Sequence, residues 1–442
     1  MARNLPDRLL GGIILIGVVL RLAVALYLGD VVDAPPLLTD QRSYHALGVS
    51  LISGRGFSFE ENWYPFTLAH TPTAHWSFLY SLYIAAIYAV TGPHPLAARL
   101  VGAVLGGILL PWMAFRFTKV LFAQQEVIPA RLRRYATSIP LIAATLTAFY
   151  AYFILYAATL MTETFYIVAL LWSLERGIAL AREPTRRNAL WLGLAWGIAT
   201  LIRQSILPWI AVMCVWLLWT AHRRGHMAAM ARSIAGAVLV IALLIAPFTI
   251  RNYRAYGSFL LLNSNAGYAM YSAQHPLHGT TFQPFAAAPL PDDIELGNEA
   301  KLDRELMKRG IQFVIQDPIR YLRLSLSRMV AYFEFWPSRQ SSLLHNIGRV
   351  GSYGLFLPFM VYGLWLSLDA ARQSQGLCDW MGTPTGLTVV FMVFYSVLHI
   401  FTWAMPRYRL PVDATALPFA ALALIDVTHR LQLTRWLPWC EG

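Results

Sequence analysis

The sequence predicts an all-α polytopic membrane protein, and three observations carry that prediction. Of 442 residues, 57% are hydrophobic and only 13% are charged, more apolar surface than a soluble core can bury. The mean hydropathy is +0.50. The apolar residues fall in runs of about 20, the length a helix needs to cross a hydrocarbon layer roughly 30 Å thick. A helix also satisfies its own backbone hydrogen bonds there, which an open strand cannot do.

In chain order, spans are expected at 9–29, 96–122, 137–157, 163–181, 188–202, 205–220, 232–250, 351–368, 386–404 and 410–428. Arg3 and Arg8 precede the first span and no small-residue cleavage site follows it, so it reads as a retained signal anchor with its N-terminus inside. Residues from 30 onward then lie outside. Among them Tyr44, Leu47 and Leu51 recur at helical spacing, and Gly54-Arg55-Gly56 ends the run, which predicts a short surface helix opening at Asp40.

The stretch 76–91 is also apolar. Counting it as a crossing turns every later arginine-rich loop outward, so it is read as a second helix lying on the outer surface. With it excluded, the basic stretches 131–134, 182–187, 222–224 and 429–435 fall inside and 252–345 falls outside. The net charge of +12 then follows from the positive-inside rule rather than from nucleic-acid binding. A re-entrant pair within 137–160 is the alternative to a plain crossing.

The resulting organisation is a first transmembrane helix (1–29), a first external loop with interfacial helices (30–95), a transmembrane core (96–250), an external loop with helices (251–345), and C-terminal transmembrane helices with a cytoplasmic tail (346–442). Within 251–345 a helix is expected over 297–316, restarting at Asp317-Pro318 and running to about Phe335. The cysteines offer no CxxC spacing: Cys214 sits in a span, and Cys378 and Cys440 fall on the cytoplasmic side.

Asp40 stands where a carboxylate caps free amides, and capping is the simplest account of it. Other charged residues add to that account. Glu163, in "TLMTETFY", opens its span on the same face as Asp40, and ionisable groups at such depth are paired or functional. Arg203 in "TLIRQSILPW", Arg251 in "APFTIRNY", and Arg407 and Arg409 in "MPRYRLP" all reach that face as well. A lone arginine at a helix end snorkels to headgroups. Several on the external face run against the usual charge bias, and guanidinium groups bind phosphate in two-pronged fashion. Together they predict an outward-facing site for a phosphate-bearing lipid.

The segments "DQRSYHALGVSLISGRGF", "HTPTAHWSFLYSLYIAAIYAVTG", "AARLVGAVLGG", "LMTETFYIVALL", "LIRQSILPW", "RNYRAYGSFLLLNSNAGYAMYSAQHP" and "RYRLPVDATALPFAALAL" run in order across nearly the whole chain. In that order and spacing the chain resembles the membrane-bound GT-C glycosyltransferases, in particular the bacterial relatives of protein O-mannosyltransferase and of the lipid A aminoarabinose transferase. The resemblance implies a GT-C-type helical bundle in the plasma membrane. It also implies inverting transfer of a sugar from a polyprenyl-phosphate carrier to a glycan, lipid or protein hydroxyl at the outer face.

Under that resemblance Asp40 is the general base and Glu163 the second acidic position, orienting the acceptor or a metal. Substrate contacts are expected at Tyr44, Tyr64, His70, Arg203, Arg251, His275, Arg407 and Arg409. Some relatives use a metal with a ligand in each external loop, and His70 and His275 sit nearest the matching positions, so a divalent ion is the one cofactor to consider. The chain departs from those relatives in having "HTPTAHW" where they carry a lysine or glutamate before the proline. Trp63, Tyr64, Trp76, Tyr268, Tyr271, Phe333 and Trp336 read first as an interfacial aromatic belt. Two other functions compete: a transporter or flippase of a lipid-linked substrate, for which no inverted repeat is found, and a non-catalytic assembly subunit.

Overall fold

The computed structural model describes residues 5–32, 40–283, 286–339, 341–374 and 376–432. Arg3, residues 37–39, Cys440 and the end of the 429–435 basic cluster lie outside them. Eighteen α-helices are present among the described residues, and there is no strand longer than an isolated bridge. In order they are α1 (Leu5–Leu28), α2 (Asp40–Ile52), α3 (Phe78–Thr91), α4 (Pro95–Leu121), α5 (Ile139–Phe149), α6 (Ala151–Ala157), α7 (Glu163–Arg182), α8 (Arg186–Ile202), α9 (Leu207–Arg223) and α10 (Met227–Tyr256). There follow α11 (Ala266–Gln274), α12 (Glu299–Gln316), α13 (Pro318–Tyr332), α14 (Leu343–Arg349), α15 (Leu355–Ser374), α16 (Leu377–Met381), α17 (Pro384–Phe401) and α18 (Leu410–Arg430).

Eight stretches of helix among the described residues are long and apolar enough to cross a membrane. Two of the ten expected spans take other forms. The stretch 137–157 is two helices, α5 and α6, bent by 59° at Tyr150. The bend is held by Arg21, buried in α1, whose Nη1 donates to the Ala148 carbonyl at 3.1 Å and whose Nη2 donates to that of Thr147 at 3.4 Å, capping the free end of α5. The stretch 188–202 is α8, which at 17 residues is shorter than the others yet runs back beside α7 to the level where α7 begins.

The helices alternate so that α1 and α10 end, and α4, α7 and α18 begin, at one end of the bundle. Asp30 just beyond α1 accepts from the Leu96 amide of α4 at 2.8 Å. The opposite end holds Arg131 with Asp426 at 2.9 Å, Arg116 with Glu175 at 2.5 Å, and Arg224 on the Ala181 carbonyl at 2.9 Å. The arginine-rich loops that are described therefore share one end, and Asp40 lies at the other.

At the Asp40 end, α2 and α3 pack across the bundle instead of through it. Fourteen residues make α3 too short to span. Ser77 caps it through the Tyr80 amide and also donates to the Leu201 carbonyl at the end of α8, at 3.0 Å. The expected 297–316 helix and its restart at Pro318 are α12 and α13, with Asp317 capping the second through the Arg320 amide.

Candidate active site

Four helix ends converge to build the site. The first residue of α2 is Asp40, the first of α7 is Glu163, and Arg203 is the extended residue that closes α8. Arg407 belongs to the 3-10 turn Pro406–Arg409 between α17 and α18. Pro406 at the start of that turn and Pro411 after it keep the hairpin from continuing as one helix.

The charges then meet. Arg407 Nη1 donates to Asp40 Oδ2 at 2.8 Å and lies 3.9 Å from Glu163 Oε1. Arg203 Nη2 donates to the same Glu163 oxygen at 2.5 Å, and its Nε donates to the Thr162 hydroxyl at 2.8 Å. Two acids and two guanidiniums balance in charge. The Glu163 side chain is 1% exposed and that of Asp40 23%, so the first is sealed and the second opens to the surface.

Tyr408 lies between the two arginines, its ring 5.6 Å from the Arg203 guanidinium and 5.1 Å from that of Arg407. Tyr44, one turn after Asp40, is buried against Trp76 and Tyr80, and burial pushes its phenol above the ordinary tyrosine range. Its hydroxyl therefore stays protonated. Glu163 Oε2 and Arg407 Nε are buried with no hydrogen-bond partner among the described residues. Arg407 Nη2 has only the Tyr408 hydroxyl at 3.3 Å. The side edge of the Arg407 guanidinium is thus nearly unused while its tip holds Asp40.

The remaining expected site residues lie elsewhere. Arg251 sits over Phe57 and Phe78 and donates to the Phe57 carbonyl at 3.3 Å, apart from both acids. Arg409, next but one to Arg407, turns the other way: it is fully buried, pairs with Asp413 at 3.0 Å and lies over Tyr353. The helical turn that aims Arg407 at Asp40 aims Arg409 into the α15–α18 packing. Tyr64 reaches the Tyr268 hydroxyl at 2.6 Å and joins the first loop to α11. His70 is exposed, with a left-handed φ of 56°. His275 accepts the Leu277 amide on Nδ1 at 3.2 Å and packs on Tyr271 and Phe313. No group of three His, Cys, Asp or Glu able to hold a metal exists among the described residues, so His70 and His275 belong to no preformed cage.

Sequence reasoning missed Gln41, Tyr408 and Glu299. Gln41 Oε1 accepts from Arg99 and from the Leu160 amide, each at 3.1 Å, fixing α2 against the turn before Glu163. Tyr408 was legible as the ring between the arginines of "RYR". Glu299, 2% exposed, accepts from Thr67 at 2.8 Å, the Ala74 amide at 2.7 Å and Ser264 at 2.6 Å, and so ties the first external loop to the 257–342 segment. It falls in sequence only within the first turn of the expected 297–316 helix, and no local signal marks it.

No family model and no curated protein matches the sequence. Solved structures do match the fold. The oligosaccharyltransferase of Archaeoglobus fulgidus in its apo form superposes with a TM-score of 0.60 at 15% identity, over 99% of this chain and 52% of that one. The same enzyme in complex with an inhibitory peptide and a dolichol-phosphate gives 0.57 at 14% identity, over 97% and 52%, and it is also known in complex with zinc and sulfate. ArnT from Cupriavidus metallidurans, bound to undecaprenyl phosphate, gives 0.51 at 12% identity, over 99% and 64%. The chain thus spans about half the length of the archaeal enzyme it matches. At these identities the likeness establishes the fold, and the described helices have the GT-C fold of membrane glycosyltransferases.

Proposed function

We propose that the chain is an inverting glycosyltransferase that moves a sugar from a polyprenyl-phosphate carrier to an acceptor hydroxyl at the outer face of the membrane. The observation that carries this reading is the Asp40–Arg407 pair at the loop end of a GT-C bundle: a surface-open carboxylate and a guanidinium with an unused edge, 2.8 Å apart. The outward orientation is supported by the arginine-rich loops at the opposite end.

In one displacement the acceptor oxygen attacks the anomeric carbon from the side opposite the carrier, and the configuration inverts. Asp40 accepts the hydroxyl proton as the new C–O bond forms. The bond to the carrier phosphate breaks, and the phosphate leaves with the electron pair. Arg407 stabilises the departing charge electrostatically from its place beside Asp40. Glu163, held by Arg203, keeps Arg407 in place. The donor set does not fit a resident metal, because both acids already face guanidiniums and no third ligand adjoins them among the described residues. No step here uses one.

The test is Asp40→Asn in nanodiscs supplied with a labelled polyprenyl-phosphate sugar and cell-envelope acceptor. Turnover should fall about 10²- to 10⁴-fold, the range expected for a lost general base, while the carrier still binds. Unchanged turnover, or movement of the carrier across the bilayer with no glycosidic product, overturns the reading.

A further inference from the structure

Helices α12 and α13 are amphipathic and lie outside the membrane spans, yet they leave a continuous apolar face uncovered. Ile315 is 72% exposed, Ile319 66%, Leu322 53%, Leu326 55% and Val330 58%. The spacing of the α13 residues, 319, 322, 326 and 330, keeps them on one side of the helix. Leu324, Ser325, Arg328 and Tyr332 lie on the other, buried against the protein. A row of this length is not a scatter of single surface residues.

Its course indicates what covers it. At its C-terminal end the row passes to Phe335 and Trp336, 44% and 43% exposed, and then to Ile347, Val350 and Leu355 on the next membrane-crossing stretch, His345–Ser374. The exposed face of α13 is therefore continuous with a surface that the bilayer covers. The aromatic pair sits at the junction, where amphipathic rings collect at a membrane boundary. Exposed Arg323 borders the apolar row, as a charge at headgroup level does on a helix lying in the interface, while Arg320 turns inward to the Gln274 carbonyl at 2.8 Å.

The buried side of α13 leads to the site. The Tyr332 carbonyl accepts from Arg409, and the Tyr332 ring stacks on His399 at 6.3 Å. His399 in turn stacks on Tyr408 at 5.0 Å, the ring between Arg203 and Arg407. We infer that α13, with the end of α12, is seated in the bilayer at the boundary of headgroups and acyl chains. Through Tyr332, His399 and Tyr408 it sets the depth of Arg407 at the level of lipid phosphates. The seating stands without the glycosyl-transfer reading; only the meaning of that depth rests on it.

The test is site-directed spin labelling of the full chain, with Cys214, Cys378 and Cys440 replaced by alanine, in nanodiscs of phosphatidylcholine and phosphatidylglycerol. Labels are placed at Ile315, Leu322 and Leu326, and at Lys308 for comparison. Collision with oxygen should exceed collision with a water-soluble nickel chelate at the first three sites, and the order should reverse at Lys308. High nickel accessibility at all four sites puts the face in water and overturns the inference. Shielding of the first three from both reagents overturns it as well, because a protein surface then covers the row. The readout needs no turnover, so a failed transfer assay and a failed seating are told apart.

Discussion

At the scale of residues, the site depends on opposite charges being buried together. Arg203 neutralises a carboxylate that is 1% exposed, so removing it leaves Glu163 facing Arg407 alone at 3.9 Å. Arg203→Ala should cost on the order of 3 kcal/mol in unfolding measurements, the scale for an orphaned buried charge. Adding Glu163→Gln should recover most of it. Asp303 provides a second test. Burial raises its carboxyl from the ordinary 3.8 to about 6, against the opposing pull of the Gly267 amide that it accepts. A raised pKa means the folded state holds the proton more tightly than the unfolded chain. The stabilisation is then complete below pH 3.8 and is lost as pH rises through about 6. Asp303→Asn keeps the acceptor and removes the charge. It should flatten that dependence, which is worth on the order of 3 kcal/mol by this shift, as read from protease resistance of the α11–α12 region against pH. Asp40, Glu163, Arg203 and Arg407 were legible because acids at span depth are rare and several arginines on the external face run against the positive-inside bias. That Arg409 turns inward was not legible, because two residues' separation in a tight turn changes the face and sequence does not give the turn's phase.

At the scale of elements, close helix crossings hold the frame on which those charges sit. α15 and α18 touch backbone to side: a Cβ built on Gly363 would stand 1.7 Å from the Phe419 carbonyl oxygen and 2.5 Å from its carbon. Backbone cannot yield as a flexible side chain does, so the two helices must separate. Gly363→Ala should lower stability by about 1–3 kcal/mol, the usual cost of overpacking, in a thermal unfolding scan in nanodiscs. Because α18 begins just after Arg407, turnover should fall with it. The spans themselves followed from apolar run length, and the Pro318 restart from the Asp317-Pro318 start signal. The 59° break between α5 and α6 did not follow from run length, although a helix pair within 137–160 stood as the alternative to a plain crossing. Its cause is the buried Arg21, over a hundred residues away in sequence, which supplies donors to an end that apolar periodicity reads as continuous.

At the scale of the whole molecule, the alternation of helices sorts basic loops to one end and the charge-balanced Asp40 site to the other. With that orientation a cysteine at Glu61 should be labelled by an impermeant maleimide in intact cells, and one at Arg187 only after permeabilisation. The reverse pattern would place the site inside. The sequence by itself determined the membrane class, nearly all helix positions, and the parity that puts Asp40, Glu163, Arg203 and Arg407 on one face, because run length and charge bias are local properties fixed by the bilayer. Only the tertiary structure decided which of those charges touch, that Arg407 rather than Arg251 or Arg409 faces Asp40, and that Glu299 joins the two external segments. Those outcomes depend on contacts between residues tens to hundreds of positions apart, and side-chain direction at a helix end is set by packing that no single segment contains.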